Sequence, residues 1–221
     1  MSAFDPEFED LPATLPIFPL TGVLLLPRGR LPLNIFEPRY LNMVSDALGG
    51  NRMFGMVQPA EAQAEENEGD PAVYPTGCAG RITHFEETDD GRYILSLKGV
   101  CRFDIVEEIP TTRGYRRCNA DWSRYRDDLT VPENAPIDRK RLVAAVRSYF
   151  TAKGLEANWE AIEKAKDEYL VTSIAMLCPF DPSEKQALLE ARDLTRRSEL
   201  LTTITEMAAM GTTDGTDGTR Q

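Results

Sequence analysis

Residues 15–36 (LPIFPLTGVLLLPRGRLPLNIF) are short apolar runs cut by Pro16, Pro19, Gly22, Pro27, Gly29 and Pro32. Proline ends helices and sits at the edges, starts or bulges of strands, so the stretch predicts short bent strands with tight connections. Val23–Leu26 and Leu31–Ile35 are the strand candidates. Glu37-Pro38 then opens a helix with proline at its first position; Leu41, Val44 and Leu48 supply its apolar face and Gly49-Gly50 its stop. Met53–Gln58 and Gly77–Glu87 follow as strands. Thr88-Asp89-Asp90-Gly91 is a hairpin turn in which Asp-Gly supplies positive φ. Arg92–Lys98 returns with Tyr93, Leu95 and Leu97 on one face, Gly99 permits a bend, and Val100–Val106 and Tyr115–Trp122 alternate as further strands. About seven short strands at this spacing predict a closed or nearly closed β-barrel.

The period becomes helical in the last third of the chain. Leu142, Val146, Tyr149 and Phe150 fall on one helical face that Gly154 closes, and Gly154-Leu155-Glu156 separates it from a second helix bearing Leu170, Ile174 and Leu177. Cys178-Pro179 ends that helix. Asp181-Pro182-Ser183-Glu184 is a capping box, and it opens one long helix with Leu188, Leu194, Leu201, Ile204 and Ala208 facing inward. Strands followed by helices give an α+β chain. Its expected parts are an acidic lead (1–12), a β-barrel subdomain (13–126), a linker (127–136), a helical bundle (137–210) and a disordered tail (211–221).

Composition changes this picture little. The 221 residues are 42% hydrophobic and 28% charged, enough to bury a core. No apolar run reaches membrane-spanning length, and the acidic start lacks the pattern of a secretory signal. Cys78, Cys101, Cys118 and Cys178 form no Cys-x-x-Cys pair and are expected as reduced thiols of a cytoplasmic protein. The net charge is -11, but segments 1–12, 53–80 and 211–221 account for -10 of it, so the folded body is near neutral. The acidic loop 60–71 is expected to be a solvated insertion.

Candidate chemistry is sparse. The one histidine, His84, lies mid-strand and fits a half-buried packing role; one histidine cannot build a histidine metal cluster. No Gly-Lys dipeptide, Gly-x-Gly-x-x-Gly or Gly-x-Ser-x-Gly occurs. Neighbouring carboxylates such as Glu86/Glu87 and Glu107/Glu108 point to opposite faces of a strand and cannot share a proton. No catalytic residue, metal or cofactor is expected.

Two surfaces merit attention. Phe36, Glu37, Arg39 and Tyr40, with Met56 as an adaptable neighbour, could grip polypeptide; the bland alternative is a strand-to-helix corner with Phe36 and Tyr40 in the core and Arg39 paired with a carboxylate. Met43 and Met53 are open to the same two readings. Arg113, Arg116, Arg117, Arg124 and Arg126 with one opposing Asp121 give +4 over 113–126, interleaved with Tyr115, Trp122 and Tyr125. Cations beside aromatic rings suit single-stranded RNA. The alternative there is an edge strand defended by charge.

The blocks LPIFPLTGVLLLP and LPLNIFEPRYLNMV (15–44), FGMVQP (54–59), GCAGRI (77–82), DGRYILSLKGVCRFDI (90–105) and PFDPSEKQALLEARDLTRR (179–197) together resemble the substrate-binding N-terminal domain of Lon proteases (protease La). The resemblance covers about residues 13–208. It implies a PUA-like β pseudo-barrel followed by helices, and a non-catalytic role in recognising unfolded or partner polypeptides. The ATPase and Ser–Lys protease modules of full-length Lon find no counterpart here, so the expectation is a stand-alone recognition module. Its expected partners are polypeptide substrates or a protein of the proteolysis machinery, with RNA as the alternative ligand, no membrane, and a monomer or weak dimer as the state.

Overall fold

A computed structural model of the chain describes residues 6–60, 71–111, 113–132 and 135–211. The acidic loop, nearly all of the tail and the first five residues fall outside this set. Contacts divide the chain into two compact units: residues 1–131 with 179–189, and residues 132–178 with 190–221.

The first unit is built on one mixed sheet. Its strands are β1 (Thr14–Pro19), β2 (Arg30–Ile35), β3 (Met53–Val57), β4 (Thr76–Glu87), β5 (Tyr93–Ile109) and β6 (Arg116–Asp121), with helix α1 (Pro38–Leu48) between β2 and β3. The order is β2-β5-β4-β3-β1-β6, and β5 also pairs with β6. Strand β5 is long enough to serve two partners: its first half takes β2 (Leu33↔Leu95) and its second half takes β6 (Ile105↔Ala120). The sheet therefore closes through β5, β4, β3, β1 and β6, and only β1–β3 is parallel.

Inside the ring, Leu15, Ile17, Met53, Ala79, Cys101, Phe103 and Cys118 form the core, with Trp122 and Tyr125 closing one side. Burial alternates along β2 and the first half of β5, while β3 and residues 76–80 of β4 are buried throughout. Phe103 is fully buried, and its ring stands 5.5 Å from that of Trp122.

Four expectations for this unit are corrected. Val23–Leu26 is not a strand; Leu24, Leu25 and Leu26 are all buried in an unpaired crossing segment. Two facing glycines make room for it. Gly80 pairs with Gly99, and a Cβ on Gly99 would lie 2.0 Å from the Leu26 carbonyl oxygen. The two predicted strands on either side of Gly99 are accordingly one strand, β5, with a register shift at that point. In α1 the buried face is Tyr40, Met43, Val44 and Ala47, one position round from the leucine face expected. Finally, residues 127–129 at the start of the expected linker belong to a 3-10 segment, Ser123–Leu129, in which Asp128 is buried.

Helix α5 (Pro182–Glu190) packs with this unit through polar anchors. Lys185 Nζ donates to the Gly22 carbonyl (2.7 Å), Gln186 Nε2 to that of Thr76 (3.1 Å), and Gln58 Nε2 to that of Pro182 (2.9 Å). The capping interaction is present: Asp181 N–H donates to Glu184 Oε2 (2.9 Å). The long helix expected from residue 182 onward is two helices. Asp193 accepts from Arg196 N–H (2.8 Å) and starts α6 (Leu194–Gly211) afresh, as an aspartate N-cap does.

The second unit contains α2 (Arg139–Lys153), α3 (Trp159–Lys164), α4 (Asp167–Leu177) and α6. Leu142, Ala145, Val146 and Tyr149 of α2 are buried, and Gly154 ends the helix in the left-handed conformation (φ 65°). Leu170 and Ile174 face inward in α4, but Leu177 is 81% exposed. It is the last residue of α4.

Candidate functional site

The Ile35-to-Tyr40 corner is held rigidly at both ends. Ile35 is buried on the core face of β2, so Phe36, the next residue, alternates outward. Glu37 is extended (φ -71°, ψ 132°), and its carbonyl accepts the N–H groups of Tyr40 and Leu41 (2.9 Å each), which starts α1 with Pro38 in the first turn. Tyr40 is buried against Phe18, ring centroids 4.2 Å apart. Arg39 pairs with Glu37 (3.1 Å) and lies over the Tyr40 ring at 4.6 Å. Phe36 is the exception to the corner reading: it is 62% exposed. Met56 and Met53 are buried in β3 and Met43 in α1, each with at most 3% of its surface exposed.

Around Phe36 the sheet assembles residues that no local pattern in the sequence connects. The β2–β5 register sets Ile35 opposite Tyr93, which brings Arg92 to 5.8 Å from the Phe36 ring. The β4–β5 hairpin places Phe85 against Tyr93, edge to face with centroids 5.0 Å apart, and Phe85 remains 37% exposed. Arg92 also pairs with Asp90 (2.9 Å) across the turn. In that turn only Gly91 takes positive φ (78°), so the expected Asp-Gly pair is one residue of left-handed backbone. Phe36 with Arg92 thus forms an aromatic, cationic ledge beside an acidic turn, while Phe85 and Tyr93, register partners of the inward Leu95 and Ile35, stand on the other face of the sheet.

The arginine stretch is placed differently from a nucleic-acid platform. Tyr115, Trp122 and Tyr125 are all buried, so their faces are not offered to bases. The Trp122 indole donates to the Pro12 carbonyl (3.0 Å), and the Tyr125 hydroxyl to Asp104 (2.9 Å). Burial, then the hydrogen bond that it donates to Asp46 (2.8 Å), pushes the Tyr115 hydroxyl above the usual tyrosine value. The cations are spent on neighbours: Arg113 on Asp46 (2.8 Å), Arg116 on Glu108, Arg124 on Asp104 (2.8 Å), Arg126 on Glu9 (3.6 Å) and over the Phe8 ring. Arg117 donates to the Thr14 hydroxyl (3.2 Å). These are fold contacts, and the RNA expectation loses its stacking surface.

The histidine and the cysteines are placed as follows. His84 is exposed on the outer part of β4, 3.9 Å from Glu86, because β3 does not extend to cover that end; the half-buried expectation is corrected. All four cysteines are free and buried, and burial pushes the thiols of Cys101 and Cys118 up to about 12, where no nucleophile forms near neutrality. Among the described residues no three His, Cys, Asp or Glu side chains could hold a metal ion. No helix of those residues is long and apolar enough to cross a membrane.

The deepest charged group is Arg102. Its guanidinium donates twice to Asp128 (2.8 Å each), once to the Leu189 carbonyl (3.0 Å), and lies 4.7 Å from the Tyr125 ring. Burial works against its charge, and the hydrogen bonds and charge of Asp128 outweigh that, so its pKa stands above the ordinary arginine value. It locks β5, the 3-10 segment and α5 together and faces no cleft.

Comparisons with known proteins agree with this architecture. Lon protease 2 of Myxococcus xanthus is 29% identical over 199 residues, which covers 87% of this chain and 23% of that protein. Lon protease of Anaeromyxobacter dehalogenans is 29% identical over 197 residues, with the same coverage. The chain thus spans about a quarter of the length of these relatives. In fold it is similar to a Lon N-terminal domain protein from Xanthomonas campestris (24% identity, TM-score 0.60, 86% of this chain and 97% of that one). It is also similar to the N-terminal domain of Mycobacterium avium complex Lon protease (15% identity, TM-score 0.61, 87% and 97%). Residues 14–206 match the family described as the ATP-dependent protease La (LON) substrate-binding domain, and the chain belongs to that family.

Proposed function

We propose that this chain is a polypeptide-recognition module that binds unfolded or partner segments through the ledge around Phe36. The observation that carries the reading is the exposure of Phe36 (62%) on a corner that is otherwise tightly held. A large ring kept in water on a rigid support forgoes burial worth ~2 kcal/mol, and binding is where that energy is recovered. Arg92 beside the ring adds a cation that can meet a carboxylate or a second ring. The module breaks no bonds itself; its similarity is to a substrate-binding domain, and its thiols and histidine sit where no reaction is organised. It works with the proteolysis machinery in the cytoplasm, where free cysteines stay reduced. Its closed sheet is read as a PUA-like pseudo-barrel.

The test is a fluorescence-anisotropy titration with a labelled, reduced and carboxymethylated polypeptide that cannot fold. The wild-type chain is expected to bind it, and Phe36→Ser to weaken binding about tenfold or more while leaving the thermal midpoint unchanged. Equal binding by the variant, or no binding by either protein, contradicts the assignment.

A further inference from the structure

Strand β4 continues five residues past its last covered position. Its pairing with β3 ends at Met53↔Arg81, and the Ile82 N–H still reaches the Arg52 carbonyl (2.8 Å). Residues 83–87 then run exposed, paired with β5 alone on one side. Among the described residues no strand covers the other side.

The register says which backbone groups face that open side. Pro32 has no N–H and lies opposite Ser96, so the bonded pairs between β2 and β5 are Leu31–Leu97, Leu33–Leu95 and Ile35–Tyr93. The intervening residues of β5, Ile94 and Ser96, therefore bond β4 at Glu86 and His84. The Thr88 N–H bonded to the Arg92 carbonyl (2.9 Å) continues the same alternation. The N–H and C=O groups of Phe85 and Glu87 are left pointing outward. The other edge of this projecting sheet, β2, has proline at the centre of its open side, which is how edges are blunted. The β4 edge has no proline, no lysine and no bulge between Phe85 and Glu87.

We infer that the β4 edge takes up an extended peptide as an added antiparallel strand, bonded to the backbone of Phe85 and Glu87. The inference deepens the proposed function, because it rests on polypeptide binding at this surface and names the class of segment preferred. Residues two apart on the added strand would lie beside Phe85 and Glu87 on one face. Phe85, backed by Tyr93, favours an aromatic or β-branched neighbour; Glu87, with Asp89 in the following turn, favours lysine or arginine. In antiparallel order the segment reads basic residue, any residue, then aromatic or β-branched residue.

The probe is a labelled ten-residue peptide with lysine and valine two apart among threonines and serines. It is compared with its lysine-to-glutamate analogue and with a copy N-methylated at those two positions. Glu87→Pro removes the outward N–H together with the Glu87 carboxylate and leaves the β4–β5 bonds intact, so the N-methylated peptide isolates the backbone bonds and the charge-reversed peptide the carboxylate. The expected result is that Glu87→Pro, peptide N-methylation and the charge reversal each weaken binding about tenfold. Equal binding of the N-methylated and parent peptides overturns strand addition whatever the protein variant does. If the unfolded polypeptide responds to Phe36→Ser but not to Glu87→Pro, the docking role stands and the edge role falls; if no polypeptide binds, both fall. A second copy of the chain pairing through this edge, seen as a dimer that the peptide does not compete away, also overturns it.

Discussion

Asp128→Ala is expected to cost the first unit about 3–5 kcal/mol, because it leaves the Arg102 guanidinium buried without its counter-charge. The side chains are 4% and 10% exposed, so water cannot replace the lost carboxylate. The loss also frees the Arg102 backbone N–H, which donates to the same carboxylate (3.0 Å). With one tryptophan in each unit, a Trp159→Phe background leaves Trp122 as the reporter, and urea denaturation followed by its fluorescence reads the first unit alone. Replacing both partners by apolar residues, Arg102→Met with Asp128→Leu, is expected to destabilise much less than Asp128→Ala. A midpoint for Asp128→Ala within the range of ordinary surface variants would show that the pair holds nothing together.

Gly99→Ala is expected to be at least as damaging, with a loss above ~4 kcal/mol. The added carbon would lie 2.0 Å from the Leu26 carbonyl oxygen and 2.8 Å from its carbon. Both are backbone, so no change of rotamer relieves the overlap. Either the crossing segment that buries Leu24, Leu25 and Leu26 is pushed off the sheet, or β5 breaks at its bulge. Gly22→Ala is the informative comparison. Gly22 also has an unusual backbone (φ 72°), but open space surrounds it, so only the left-handed conformation is penalised, about 1–2 kcal/mol. The same denaturation experiment checks both. Comparable midpoints for the two variants would contradict the close approach at Gly99.

The contrast between these glycines shows what was legible in the sequence. Turns, caps and alternation are local, and the sequence displayed them: the Thr88–Gly91 hairpin, the Pro38 helix start, the Gly154 stop and the strands from Thr76 to Asp121. What depends on a partner far along the chain was hidden. Val23–Leu26 has the composition of a strand, but nothing nearby says that two glycines more than fifty residues on will let it pack unpaired. Asp128 looked like linker because its partner is Arg102, and α5 looked like bundle because its anchors are Gly22, Gln58 and Thr76.

The candidate site divides along the same line. Phe36 and Arg39 stood out as residues, and the Arg39–Glu37 pair and the burial of Tyr40 followed from the corner itself. Arg92 was missed as the neighbour of Phe36, since only the non-local β2–β5 register joins them. The signal available was the position of Phe36, one residue beyond the inward Ile35 and so due to face out. Conversely, the Arg113–Arg126 stretch looked like an RNA surface because sequence shows charge and rings but not the carboxylates of Asp46, Asp104 and Glu108 that neutralise them.

Hydrogen–deuterium exchange of the full chain, with and without a saturating unfolded polypeptide, bears most directly on the claim that clients are held at the Phe36 ledge. Slowed exchange is predicted within residues 35–40 and 83–94 and nowhere along 113–126. Protection along 113–126 with the ledge unchanged, or no protection anywhere at saturation, would contradict it.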